Sequence, residues 1–306
     1  MKVLVATEKP FAAAAINGIR EIVEKAGYEL VLLEKYTDVA EFYAAVADVD
    51  ALIVRSDKVT KEVIAHANNL KIVVRAGAGF DNLDLDACSE RGIVAMNTPG
   101  QNSNAVAELA LGMMVYMARN TFQKGTGSEL KGKRLGIQAY GNVGRLVAKI
   151  AQGFGMEVAA FDPFVPTEAI EKDGVKPVLS LDELYSTCQY ISLHIPANEQ
   201  TKKSIGKALL RQMPKGGCLI NTARKEVINE DELIEILSER TDLKYATDIA
   251  ADKQEELNTL FGNRVFATPK KMGAETAEAN INAGLAAASQ IVDYLENGNE
   301  RFRLNK

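Results

Sequence analysis

The chain of 306 residues has no tryptophan, two histidines, three cysteines and eight prolines. Each scarcity excludes something. Cys88, Cys188 and Cys218 show neither metal nor redox spacing. They read as reduced, structural thiols, and no metal site is expected. No apolar run approaches the roughly 20 residues that span a bilayer, so no membrane partner is expected. The opening MKVLVATEKP has too short an apolar run for a signal peptide and reads as a strand, which with the reduced thiols implies a cytoplasmic protein. The net charge is −5, with acids and bases interspersed and no basic stripe, which argues against nucleic acid. There is no internal repeat or low-complexity segment.

What is present is the makings of a two-domain enzyme. The length exceeds what one core usually holds, and 47% hydrophobic content supports sizeable cores. Strand-like runs at Val3–Ala6, Leu30–Leu33, Ala51–Val54, Ile72–Arg75 and Ile93–Met96 alternate with helical segments. Such alternation predicts α/β architecture with parallel sheets covered on both faces. Ala105–Arg119 is a helix apolar nearly all round, expected to be buried between lobes or subunits. Further strands are expected at Tyr190–His194, Gly217–Asn221, Tyr245–Asp248 and Val265–Thr268. A final helix over Ala274–Asn297 is long enough to return to the first lobe. The domains are therefore expected as 1–98 plus 280–306, a discontinuous doubly wound lobe, with a second lobe, 99–279, inserted.

The most informative segment is LGIQAYGNVGRLVAKIAQGFGMEVAAFD, Leu135–Asp162. It reads as strand, glycine-rich turn, helix, strand: the layout of a dinucleotide-binding βαβ unit. Tyr140, Gly141, Asn142, Val143 and Gly144 form the turn. Gly141 lets backbone approach a pyrophosphate, Gly144 lets helix pack on strand, and the helix N-terminus offers free N–H groups. Asp162, about 20 residues past Gly144, suits the ribose hydroxyls and repels a 2′-phosphate, favouring NAD over NADP. The first glycine of the fingerprint is replaced by Ala139, a residue that takes φ > 0 only at a cost.

Several segments together resemble one family along nearly the whole chain. They are VRSDKVT (Val54–Thr60), VVRAGAGFDNLDL (Val73–Leu85), GIVAMNTPGQNSNAVAELALGMM (Gly92–Met114), SLHIPANEQT (Ser192–Thr201), MPKGGCLINTARKEVINEDEL (Met213–Leu233) and ATPKKMGAETAEAN (Ala267–Asn280). With the fingerprint, they make the chain similar to the D-isomer-specific 2-hydroxyacid dehydrogenases, and within them to the phosphoglycerate dehydrogenases of serine synthesis. The chain looks like a short form, without the C-terminal regulatory domain of longer relatives. The resemblance implies a Rossmann-type NAD-binding domain inserted in a flavodoxin-like substrate domain, a homodimer, and NAD-dependent oxidation of 3-phospho-D-glycerate to 3-phosphohydroxypyruvate. A hydroxypyruvate or glyoxylate reductase of the same fold, or a non-catalytic NAD-binding regulator, remains open.

Residue roles carry over from the same resemblance. Arg224 would orient the substrate with two hydrogen bonds. Thr222, Ala223 and His194 would line the cofactor, and Asp248 would orient its nicotinamide carboxamide. The turn at Ala76 and Gly77 exposes N–H groups suited to a carboxylate. Arg55, Arg75 and Asn102 would hold the phosphate at the substrate's far end.

Two departures from the family stand out. Relatives carry a histidine, the general acid and base, directly after the Thr-Pro of the last strand; here Thr268-Pro269 is followed by Lys270 and Lys271. Relatives also carry a glutamate five residues after the aspartate matching Asp248, where this chain has Lys253, next to Asp252. His66 lies in a helix, and neither histidine aligns with the missing acid. Three readings follow: a lysine, Lys270 ahead of Lys271, moves the proton; water or cofactor-side groups supply it slowly; or the chain binds NAD without turnover. A free lysine has a pKa of roughly 10.4, so the first reading calls for burial or a neighbouring cation such as Arg224. The segment between Arg119 and Leu130 is also shorter than relatives usually have, so the dimer contacts are expected to differ.

Overall fold

The structure is a computed structural model that describes residues 1–305. Near-continuous runs of Val, Ile, Leu and Ala form its strands, as expected where both faces of a parallel sheet are covered. In the N-terminal part these are β1 (Lys2–Thr7), α1 (Ala13–Lys25), β2 (Glu29–Glu34), α2 (Val39–Val46), β3 (Ala51–Val54), α3 (Lys61–His66), β4 (Ile72–Arg75), α4 (Leu85–Glu90) and β5 (Val94–Asn97). Next come α5 (Ser103–Ala118), β6 (Arg134–Gln138), α6 (Asn142–Gly153), β7 (Glu157–Phe161), α7 (Thr167–Glu171), β8 (Lys176–Pro177), α8 (Leu181–Thr187), β9 (Tyr190–Leu193), α9 (Lys207–Leu210) and β10 (Cys218–Asn221). The chain closes with α10 (Glu230–Glu239), β11 (Lys244–Thr247), α11 (Gln254–Phe261), β12 (Val265–Ala267) and α12 (Ala277–Asn297).

The chain divides into two compact units. One comprises Met1–Asn102 and the segment from Thr276 onward; the other is Ser103–Glu275. The sequence put these boundaries at 98/99 and 279/280. They fall instead beside helix starts: Ser103 begins α5, and Thr276 caps α12 by accepting the Ala279 N–H at 3.1 Å.

In the first unit the strand order is β2-β1-β3-β4-β5, all parallel, a flavodoxin-like order. α12 packs against α1, β3 and β4 through Ala283, Ala287, Ala288 and Ile291, so the C-terminal helix completes this unit's core. In the second unit the order is β12-β11-β10-β9-β6-β7-β8, again parallel. Its first strand, β6, lies between β9 and β7, which makes the β6/β9 boundary the switch point where such sheets bind ligands. β8 has only two residues, too few for any periodicity to mark it in the sequence. α5 lies on α6, β10 and β11 of its own unit, which bury Ala107, Ala110, Leu111, Met114 and Met117. Most of its apolar surface is therefore covered without a partner, leaving Leu109, Val115 and Tyr116 half-buried and Glu108 and Gly112 exposed.

Candidate active site

The register of the second sheet aligns the strand ends. Gln138 pairs with Phe161 and Leu193; Leu193 pairs with Asn221, Asn221 with Thr247, and Thr247 with Ala267. The next residue of each strand is therefore the first beyond the sheet: Ala139, Asp162, His194, Thr222, Asp248 and Thr268. One carboxyl edge thus collects nearly every residue that the sequence marked for cofactor and catalysis.

At its centre stands the fingerprint turn. Ala139 adopts φ +76°, the left-handed conformation that the missing glycine would have taken freely. Gly141 caps α6 without a side chain, and a Cβ built on it would meet nothing within 4 Å. The first N–H groups of α6 have no intrahelical acceptor and face this open cradle. On Gly144 a Cβ would lie 2.4 Å from the Ala139 carbonyl oxygen, so close packing requires glycine there. Asp162 Oδ2 accepts the Tyr140 N–H at 2.7 Å and Oδ1 accepts the Phe164 N–H at 2.8 Å. Its carboxylate is thus fixed at the end of β7 before any ribose arrives. The Tyr140 ring, expected at the cofactor, is fully buried, and only its backbone faces the turn.

His194 sits between two hydroxyls, 2.9 Å from Ser192 Oγ through Nε2 and 3.4 Å from Thr222 Oγ1 through Nδ1. Loss of hydration pushes its imidazole down to about 3, so it stays neutral and takes up no second proton near neutrality. Thr222 and Ala223 are buried, and Ala223 N donates to Asn221 Oδ1. Asn221 Nδ2 in turn holds the Arg224 carbonyl at 3.0 Å, fixing the backbone from which the arginine projects.

Asp248 is fully buried. Its Oδ2 accepts the Gly273 N–H at 2.9 Å, whereas Oδ1 has no hydrogen-bond partner among the described residues. Burial pushes this carboxyl up, opposed by the Gly273 N–H and by the charges of Lys271 and Arg224. An unsatisfied buried acceptor is costly and calls for a donor, which a carboxamide N–H supplies. These observations together fit a bound NAD.

The lysine segment differs from expectation. Lys270 is 71% exposed, with its Nζ 3.6 Å from Glu275 Oε2, so the burial sought for a proton-carrying lysine is absent there. Lys271 is also exposed, but its charge reaches Asp248 alongside that of Arg224. Lys253, in the place of the family's glutamate, turns to α10: it is paired with Asp231, and its N–H goes to Glu230 Oε2 at 2.9 Å. The sequence did not show this, because Asp231 and Glu230 are adjacent to Lys253 only through the fold.

In the first unit, Arg55 and Arg75 lie at the carboxyl edge of β3 and β4. Arg55 gives three of its five N–H donors to Lys9 O, Pro10 O and Asn280 Oδ1, at 2.8–3.2 Å. Arg75 donates to Arg55 O at 3.0 Å, and its guanidinium lies over Gly77, where a Cβ would come within 1.6 Å of Nη1. Gly77 has φ +149° and its carbonyl accepts Thr98 N, while Asn97 Nδ2 holds Ala78 O. The Ala76–Gly79 turn is thus fixed beneath a guanidinium, and the Ala76 N–H, expected to face a ligand, instead continues the sheet by donating to Val54 O at 2.8 Å. Asn102 ends this unit, half-buried.

Residues 91–270 match the family described as D-isomer specific 2-hydroxyacid dehydrogenase, NAD binding domain. The chain belongs to this family. A 3-phosphoglycerate dehydrogenase of Entamoeba histolytica, solved with NAD+ bound, is 51% identical with a TM-score of 0.88, covering 100% of this chain and 99% of that one. The D-3-phosphoglycerate dehydrogenase of Methanocaldococcus jannaschii is 37% identical over 83% of this chain and 51% of its own length. A hydroxypyruvate reductase of Thermotoga maritima is 36% identical over 87% of this chain and 92% of its own. The chain thus spans about half the length of the archaeal relative. The unit Ser103–Glu275, most of which lies within the matched residues, is inserted between two segments of the other unit, and no helix among the described residues is long and apolar enough to cross a membrane.

Proposed function

We propose that the chain catalyses NAD-dependent oxidation of 3-phospho-D-glycerate to 3-phosphohydroxypyruvate, as part of L-serine synthesis in the cytoplasm. The observation that carries this is the single carboxyl edge that gathers the open α6 N-terminus, Asp162, Arg224 and the unsatisfied Asp248 Oδ1. NAD, when bound, supplies the acceptor for the hydride from the substrate's C2. Arg224 holds the substrate's carboxylate and C2 oxygen through its forked donors. Asp248 fixes the segment carrying the lysines through the Gly273 N–H and leaves Oδ1 for the carboxamide. The hydroxyl proton passes to a lysine of the Lys270-Lys271 pair, and the charge that Lys271, unlike Lys270, exerts on the buried Asp248 favours Lys271. For the first unit we propose, as the resemblance implies, that the N–H groups of Gly77–Gly79 with Arg75 and Asn102 recognise anionic groups of the substrate.

A hydroxypyruvate reductase is the second reading, favoured by the commitment of Arg55 to Lys9, Pro10 and Asn280 rather than to open space. The test is NADH oxidation with phosphohydroxypyruvate, hydroxypyruvate and glyoxylate side by side, in the wild type and in Arg75→Ala. Phosphate recognition predicts the highest kcat/KM for phosphohydroxypyruvate and a loss of about tenfold or more in Arg75→Ala for that substrate alone. Equal rates on hydroxypyruvate, with equal losses in the variant, support the reductase. We also propose a homodimer on the side of α5 where Leu109, Val115 and Tyr116 are half-buried and Tyr116 packs edge-on against Phe122, which is 69% exposed. Sedimentation at micromolar concentration decides this; a monomer refutes it.

A further inference from the structure

The alanine in the place of the fingerprint's first glycine needs a restraint that glycine does not. An L-residue in the left-handed region is strained, and Ala139 at φ +76° has no side-chain hydrogen bond with which to offset this. The conformation nevertheless matters for the cofactor, because it aims one peptide unit. The carbonyl of the 139–140 peptide lies against Gly144, and its N–H holds Asp162 Oδ2 at 2.7 Å. If Ala139 relaxed toward φ < 0, that peptide would turn and release the carboxylate.

The next residue carries what prevents this. The Tyr140 ring is fully buried, and its hydroxyl donates to Asp173 Oδ2 at 3.1 Å. Arg145, one turn into α6, donates to the same oxygen at 2.7 Å and lies over the tyrosine ring, 4.9 Å from its centroid. The turn is thereby tied at Tyr140 to α6 and to the segment after α7.

We propose that Tyr140, with Asp173 and Arg145, is a positioning residue for the cofactor site: it holds Ala139 in the left-handed conformation that a glycine would adopt unaided, and so keeps Asp162 aimed at the adenosine ribose. This inference rests on the NAD site but not on the choice of substrate.

Titration of the protein with NADH and with NADPH, followed by fluorescence, tests it without turnover. Tyr140→Phe removes one part-buried hydrogen bond and should raise the Kd for NADH about three- to tenfold, while narrowing the preference over NADPH. Ala139→Gly alone should bind NADH at least as tightly as the wild type. The double variant should return to within about twofold of Ala139→Gly, since glycine makes the anchor unnecessary. A purely structural tyrosine would not be rescued by a glycine at its neighbour. Asp173→Asn provides the same comparison if Tyr140→Phe fails to fold. Wild-type affinity in Tyr140→Phe, or a double variant as weak as Tyr140→Phe, overturns the proposal. A wild type that binds neither nucleotide would instead refute the cofactor site itself.

Discussion

Two loops leave the same sheet edge and depart from the family pattern in opposite ways. The turn 139–144 replaces a glycine with Ala139 but keeps its geometry, because Tyr140, Asp162 and Gly144 hold it from three sides. The segment 268–273 replaces a histidine with lysines, and there the new side chains stand exposed, with Lys270 beside Glu275. A departure inside a packed network has one outcome, dictated by its neighbours. A departure on an exposed segment leaves the side chain several arrangements. The first region is therefore a binding device with fixed atoms, and the second is where we propose that the proton is transferred.

The largest expected effect separates the two lysines. Lys271→Met should lower kcat by roughly 10²–10⁴, the usual contribution of general acid–base catalysis, with NADH affinity intact. Lys270→Met should cost far less, because its ammonium stands beside Glu275 in solvent. Steady-state rates paired with NADH titration check this. Equal and large losses would make the pair act as a unit; full activity in both would remove lysine from the chemistry.

The βαβ turn and the parallel sheets were legible, since continuous apolar runs, the 3.6-residue helical period and glycine spacing are local properties, whereas the roles expected of Arg224 and Asp248 came with the family resemblance. The boundaries were less legible: the capping Thr276 and the start of α5 decide them, and each is a short-range detail beside a long apolar pattern. The pairing of Lys253 with Asp231, the hold of Arg55 on Asn280 and the buried Tyr140 ring were not legible. Each joins residues far apart in the chain, and a charged or aromatic residue carries no local sign of which way it will turn.

Two glycines sharpen the contrast at an intermediate scale. On Gly144 a Cβ would meet the Ala139 backbone oxygen at 2.4 Å; on Gly273 it would meet the Asp248 side chain at 2.7 Å. Backbone in a buried turn yields little, so Gly144→Ala should destabilise the fold by about 1–3 kcal/mol and weaken NADH binding. Gly273→Ala has a carboxylate to displace, so it should mostly spare stability and lower kcat by disturbing the hold of Asp248 on the lysine segment. Urea melts and rates on the two variants distinguish these outcomes. The same loss of stability in both would erase the distinction between a rigid turn and an adjustable segment.

The smallest effect concerns the proton economy of the edge. His194 lies on the cofactor side, its N–H on the Gln138 carbonyl and its ring between Ser192 and Thr222. Its folded pKa of about 3 lies below the ordinary value of 6.5. Above pH 6.5 the ring is neutral in both folded and unfolded chains, and its contribution to stability is fully present. As pH falls from 6.5 toward 3, the unfolded chain takes up a proton that the folded chain refuses, and stability is lost. The slope approaches one proton, about 1.4 kcal/mol per pH unit. Between pH 6.5 and 5, above the carboxylate range, His194→Asn should flatten this slope, measured as the urea midpoint against pH. Activity over the same window should show no inflection from His194, because its ring is neutral throughout. An unchanged slope in the variant would mean that the ring already titrates in the folded protein. The cofactor side of the edge would then share in the proton traffic that the comparison assigns to the lysine segment alone.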